Sequence, residues 1–399
     1  MNKKLLFITG SRADFGKLKS LIRNVQDSPL FECAVFVTGM HTLSKYGYTV
    51  DEVYKSIDET RLSEGFRSVF ILMNQIYGEP MDFVLANTII GLSRYVHEFQ
   101  PDLIVVHGDR VETLAGAIVG ALNNILVAHI EGGEISGTID ETIRHAVSKI
   151  SHLHFVSNKQ AANRLIQMGE NPKSIFIIGS PEVDLMLSTN LPQITDVKNH
   201  YGIQFDKYAI VIFHPVTTDL ENTSQCAKNL VSALLASKDN YIVIYPNNDV
   251  GSDLIFASYE KLKSNSRFKM FPSLRFEYFL TLLKHSLFLI GNSSAGIRES
   301  PIYGIYSINI NNRQKNRYMC KSIINVEGTS ESIEQAIESI SKMPKCEPNF
   351  NFGSGNSAKL FLSIIQSEGM WNISKQKQFI DIKPIIIEGE QNESNPGHQ

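Results

Sequence analysis

Two stretches of this chain alternate short β-branched and aromatic runs with longer amphipathic segments, and that rhythm restricts its fold more than any other feature. In the first stretch the runs are Lys4–Thr9, Cys33–Val37, Leu103–Val106, Val127–Ile130, Leu153–Val156 and Ile175–Ile178. Between them, Lys17–Val25, Phe83–Glu98, Thr113–Leu122, Glu141–Ile150 and Lys159–Met168 carry apolar residues at helical spacing. Repeated strand–helix units predict a parallel sheet with helices on its faces. After Gly179 and Ser180 comes a polar stretch with Pro181 and Pro192, and the alternation restarts at Tyr208. Strands are then expected at Tyr208–Phe213, Tyr241–Tyr245, Phe268–Phe271, Leu287–Ile290 and Tyr306–Ile310. Helices are expected at Cys226–Ser237, Phe276–Lys284, Ser294–Tyr303 and Ser330–Ser341. The pattern predicts an α/β protein of two similar Rossmann-like halves, with the polar connection near Ser180–Asp196 as a hinge.

Composition narrows the partners. At 399 residues and 43% hydrophobic content the chain suffices for two or three domains. A formal charge of −3 provides no field to gather nucleic acid or an anionic membrane, so phosphate binding must come from local groups. The apolar run before Gly10 is too short for a signal-peptide core, and no stretch reaches the ~20 residues of a spanning helix, so a cytoplasmic protein is expected. The four cysteines lack CxxC spacing and predict reduced thiols, with no zinc site. Neither half has a GxGxxG after its first strand, so no dinucleotide cofactor is signalled. The polar tail, 386–399, predicts disorder.

Ligands of open α/β sheets lie beyond the carboxyl ends of the strands, which makes the residues just after each strand the candidates. The first strand is followed by Gly10-Ser11-Arg12-Ala13-Asp14-Phe15-Gly16-Lys17, where a helix start with Arg12 and Lys17 suits a diphosphate. His107-Gly108-Asp109-Arg110 and His129-Ile130-Glu131-Gly132-Gly133-Glu134 follow later strands, and Asp140 opens the helix that also carries Arg144 and His145. Taken singly, Asp140 reads first as a helix cap, and Asp109 reads also as the ion-pair partner of Arg110 or Arg144. Their convergence with Glu131 suggests an acid/base site, and the absence of HxxxH-type spacing argues against a metal. In the second half His214 ends one strand and Asn248 follows another. Ser293 and Ser294 stand at a tight turn into a helix start, with Glu299 placed to hold a ribose diol and Arg313 to neutralise phosphate.

These segments resemble, in order and spacing, the hydrolysing UDP-N-acetylglucosamine 2-epimerases of sialic-acid synthesis, from about residue 4 to 380. The blocks are GSRADFGKLK, VTGMH, NQIYGEPM, HGDR, HIEGGEISGTIDETIRH, FHPVTT, YPNND, FPSLRFEYF and GNSSAGIRE. Related enzymes acting on UDP-N,N′-diacetylbacillosamine in legionaminic-acid synthesis share most of them. The resemblance implies a GT-B-like fold with the active site between the domains, 1–180 bearing the carboxylates and 181–385 holding UDP, the final helix packing back on the first domain. It implies a homodimer or homotetramer and no cofactor. It assigns catalysis to Asp109, Glu131 and Asp140 with His214 near the diphosphate, and UDP contacts to Arg12, Asn248, Ser293, Ser294, Glu299 and Arg313; Lys17, Arg110, Arg144 and His145, in the same segments, are further candidates for substrate contact. Gly16 departs from relatives that carry serine there. A GT-B glycosyltransferase is the more distant alternative.

Overall fold

The computed structural model describes residues 2–381 except 45–46, 59–61, 137–138, 217–218, 247–249, 315–316 and 379. The predicted tail and Asn248 therefore lie outside the described residues. In the first half seven parallel strands, β1 (Lys3–Thr9), β2 (Phe31–Val37), β3 (Val69–Ile71), β4 (Leu103–His107), β5 (Leu126–Ile130), β6 (Leu153–Val156) and β7 (Ile175–Ile177), are ordered β3-β2-β1-β4-β5-β6-β7. The second half has six, β8 (Ala209–Ile212), β9 (Tyr241–Ile244), β10 (Phe268–Phe271), β11 (Phe288–Gly291), β12 (Tyr306–Ile310) and β13 (Ile323–Val326), ordered β10-β9-β8-β11-β12-β13. Inner strands such as β4 and β8 are buried along their whole length, as expected when helices cover both faces.

The direction of strand order reverses between β1 and β4 in one sheet and between β8 and β11 in the other. At such a switch point the flanking connections leave on opposite faces and open a crevice at the strand ends. Arg12 and Lys17 follow β1, Asp109 follows β4, His214 follows β8 and Ser293 follows β11, so topology alone brings these candidates to the two crevices.

Several boundaries differ from the sequence reading. The first helix starts a turn early, at Arg12, because Ser11 Oγ caps it by accepting the Asp14 N–H at 3.3 Å, while Asp14 Oδ2 accepts the N–H of Gly10, just before the cap, at 3.0 Å. The short strands β3 and β13 were not anticipated. Ser294–Tyr303 is a four-residue helix, Ala295–Arg298, followed by a 3₁₀ turn. The expected polar connection holds two helices, Pro181–Met186 and Ile194–Tyr201.

The chain crosses between the halves twice, and the crossings touch. Gly179 and Gly353, at φ +85° and +127°, pack so closely that a Cβ on either would lie 2.9 Å from the other's Cα, and Ser180 N–H donates to the Phe352 carbonyl at 2.6 Å. Asp184 then accepts the N–H groups of Ser357 and Ala358 at 2.9 and 2.8 Å, starting the helix Ser357–Ile365. That helix returns to the first sheet, where Phe361 meets Phe7 and Phe155.

Candidate active site

Glu131 is the hub of a buried polar cluster where the two halves meet. It follows β5 with φ 62°, a left-handed backbone uncommon for glutamate, and its side chain is buried. Oε2 accepts from Lys17 Nζ and His107 Nε2, each at 3.1 Å. Oε1 accepts from Ser180 Oγ at the crossing and from Arg298 Nη2 at 2.7 Å. Burial alone would raise its pKa, but Arg298, Lys17 and His107 hold it well below the usual carboxylate range. Both oxygens are thus committed to cations and donors.

His107 extends the chain of contacts. Its Nδ1 lies 2.7 Å from Asp14 Oδ1, so the imidazole bridges two carboxylates with both nitrogens. Burial opposes its charge, yet the hydrogen bonds to Asp14 and Glu131 and their charges prevail and raise its pKa to about 9. It is therefore an imidazolium at neutral pH. His129 has the opposite character. Enclosed between Ser148 Oγ and the Gly108 carbonyl at 3.0 and 2.8 Å, it is pushed down to about 3 chiefly by burial, and it secures the turn carrying Asp109.

The two halves meet through Arg298. Besides Glu131 it binds Glu134 Oε2 at 3.2 Å, Ser180 Oγ at 3.0 Å and Glu182 at 3.6 Å, and its guanidinium lies 4.9 Å over the Phe352 ring. Its neighbour Glu299 is buried with Oε2 unpartnered. Burial, then Glu182, pushes Glu299 up to about 8, so it is mainly a neutral acid at pH 7, able to donate and accept.

The other predicted acids are more open. Asp109 is half-buried and ion-paired with Arg144, whose second nitrogen donates to the Glu134 carbonyl at 2.9 Å. Arg110 is instead engaged by Glu112 at 3.0 and 3.1 Å. Asp140 is exposed in the first turn of Ile139–Ile150, and His145 Nε2 lies 3.7 Å from Glu141. Arg12 turns outward to Glu52 at 2.9 Å, away from the Glu131 cluster. The Cβ position of Gly16 faces open space.

In the second half Asn292 takes the place of a backbone link. Its amide accepts the His214 N–H at 2.7 Å and donates to the His214 carbonyl at 2.8 Å, holding that residue beside Ser293. Its own carbonyl receives Arg313 Nη1 at 3.2 Å and Gln314 Nε2 at 2.8 Å. Gly291, at φ +143°, lets the chain turn here, since a Cβ would stand 1.9 Å from the Ile212 carbonyl oxygen. Ser293, Ser294, His214 and Arg313 thus stand together at the second switch point. Sequence reasoning missed Asp14, Arg298, Glu182 and Asn292. Only Asp14 had a local signal, the Ser-x-x-Asp spacing of the cap.

Residues 23–366 match the model of the family described as UDP-N-acetylglucosamine 2-epimerase. The chain belongs to that family. A Neisseria meningitidis protein named UDP-N-acetylglucosamine 2-epimerase is 48% identical over 383 residues, 95% of this chain and 99% of its own. A Legionella pneumophila protein named UDP-N,N′-diacetylbacillosamine 2-epimerase (hydrolyzing) is 30% identical, covering 92% of this chain and 96% of the relative. A polysialic acid biosynthesis protein of Escherichia coli is 33% identical over 84% of this chain and 85% of its own. Among solved structures, UDP-GlcNAc 2-epimerase from Methanocaldococcus jannaschii in complex with UDP-GlcNAc and UDP aligns with TM-score 0.73 at 22% identity, over 91% of this chain and 99% of that one. The family's GT-B-like fold is the architecture seen here.

As in any epimerase of this family, a nucleotide sugar is the molecule to be accommodated. Among the described residues no helix is long and apolar enough to cross a membrane.

Proposed function

We propose that this 2-epimerase is of the hydrolysing kind, converting UDP-GlcNAc and water to N-acetylmannosamine and UDP. The observation that supports the reading is the meeting of the two halves at Arg298, which follows the Ser293–Ser294 turn and donates to Glu131 at 2.7 Å, so that the second-half candidates His214, Ser293, Ser294 and Arg313 belong to the same junction as the first-half acids Asp109, Glu131 and Asp140. The C2 proton of the sugar is not adjacent to a carbonyl, so departure of UDP must lead. The C1–O bond breaks with its electron pair on UDP, where His214, Arg313 and the groups around Ser293 and Ser294 stabilise the charge. The oxocarbenium-like C1 acidifies C2–H, and its loss to a carboxylate leaves a glycal. Water then adds its hydroxyl at C1, and a proton returns to the opposite face of C2.

Glu131, committed to four partners, supplies fixed negative charge. Asp109 and Asp140, the less enclosed acids, carry the protons. Glu299, as a neutral acid, suits a ribose diol, and Lys17 adds positive charge to the cleft. Hydrolysis rather than return of UDP is supported by likeness to relatives named as hydrolysing and as serving polysialic acid formation. The test is NMR of products formed from UDP-GlcNAc in deuterated water. Free N-acetylmannosamine with deuterium at C2 is expected; absence of that deuterium, or a product still bearing UDP, would sink the reading.

A second substrate has its own support, since relatives at 30% and 31% identity are named as 2-epimerases of UDP- or GDP/UDP-N,N′-diacetylbacillosamine. Parallel kcat/KM measurements on both sugars separate the two, and UDP-GlcNAc is favoured by the 48% relative.

A further inference from the structure

Arg317 is a half-buried arginine that forms no ion pair among the described residues, although the charge of Glu134 acts on it. Its Nε is fully buried with no hydrogen-bond partner. The cations around it are already engaged. Arg298 is held by Glu131 and Glu134, Arg144 by Asp109, and Arg164 donates to the Gly133 carbonyl at 3.2 Å. Glu134, the nearby acid, receives Arg298 and Ser157. Burial first, then the charges of Arg298 and Arg144, lower the Arg317 pKa against the opposing charge of Glu134. Leaving a cation in such a place is costly unless an anion arrives to meet it.

The guanidinium lies on a cavity between the halves. From the first half Glu134, Asn158, Gln160 and Arg164 line it, and from the second Arg298, Arg317 and Tyr318, so that three arginines stand around one carboxylate. Its volume is ≈ 30 Å³, enough to admit a small polar group. Asn158 caps the nine-residue helix Lys159–Gln167, whose first turn opens on the same cavity and adds positive potential. The diphosphate-binding candidates Ser293 and Ser294 precede the opposite end of Ala295–Arg298, a helix about 6 Å long.

We propose that this cavity is a second oxyanion site, separate from the UDP site, which takes the phosphate or carboxylate of a small molecule on Arg317 and Arg164. A ligand held there touches both halves and favours their closed arrangement. The proposal rests on the reading that UDP occupies the second half near Ser293. Inorganic phosphate is the probe, titrated calorimetrically into protein saturated with UDP, for the native chain and R317Q. One saturable phosphate per chain is expected, weakened about tenfold or more in R317Q by loss of a charge-assisted contact, with UDP affinity unchanged within about twofold. No phosphate binding to the UDP-saturated native protein, or equal binding by R317Q, overturns the proposal. So does a tenfold loss of UDP affinity in R317Q, which would make Arg317 part of the nucleotide site. If UDP itself fails to bind the native chain, the UDP reading falls, and phosphate binding to the unliganded protein with the same sensitivity to R317Q still decides the cavity.

Discussion

Exchange of His107 for Gln isolates the charge that joins Asp14 to Glu131. The imidazole lies 2.7 Å from one carboxylate and 3.1 Å from the other, and its pKa is raised from 6.5 to about 9. At 1.36 kcal/mol per pKa unit, that preference for the protonated form corresponds to roughly 3 kcal/mol. Because the folded value lies above the unfolded one, this stability is fully present below pH ~6.5 and is lost as pH rises through ~9. The native protein should therefore exceed H107Q in stability at pH 6, with the gap closing by about 3 kcal/mol by pH 9.5. Glu299, pushed up to about 8, titrates in the same window. It does so in both proteins, so the reading is taken from the native–variant difference. Urea unfolding followed by the fluorescence of Trp371 reads the relevant half, since this lone tryptophan packs against the core of the first sheet beside Phe31. A native–variant gap that stays constant from pH 6 to pH 9.5 would refute the imidazolium bridge.

Other substitutions probe separate parts of the cleft. R298M takes one of three cations from buried Glu131 and the cation of half-buried Glu134, and should cost about 3 kcal/mol, read as a lower urea midpoint; a loss below ~1 kcal/mol would show that the contact contributes little. D109N should lower kcat by about 100-fold or more while UDP affinity, measured by calorimetry, is kept, and an unchanged kcat would remove Asp109 from proton transfer. G291A puts a methyl group against the Ile212 carbonyl and should shift the turn that carries Ser293, seen as at least ~10-fold weaker UDP binding; native affinity would contradict the packing. K377M removes the ammonium that donates to Glu170 at 2.5 Å and to the Lys149 and Ser151 carbonyls at 2.7 Å, and should cost about 1–3 kcal/mol in the same unfolding assay, with no change expected if that segment is undocked in solution.

Much of the framework was legible because burial leaves a local record. Runs such as Leu103–His107 and Ala209–Ile212 are buried on both faces, so their composition alone announces inner strands. The candidate residues were legible too, since a strand end facing a crevice carries polar residues and glycines whatever lies across from it. Val69–Ile71 left a weaker signal, being only three residues long at the sheet edge, and the helices of the crossing region were obscured by prolines that begin or precede them.

What the chain could not record locally is the choice of partners. Asp109 had two arginines within reach of sequence reasoning, and only the packing of Ile139–Ile150 beside the β4 turn selects Arg144, leaving Arg110 to Glu112. Arg298 reaches Glu131 across 167 positions, a contact created when one half closes on the other. Sequence by itself determined the two parallel sheets and which residues stand at their ends, because periodicity and turn chemistry act over a few residues. Tertiary structure alone decided which of those ends are charged, neutral or locked, because a pKa and an ion pair depend on distance and burial, which are set by the meeting of the two halves.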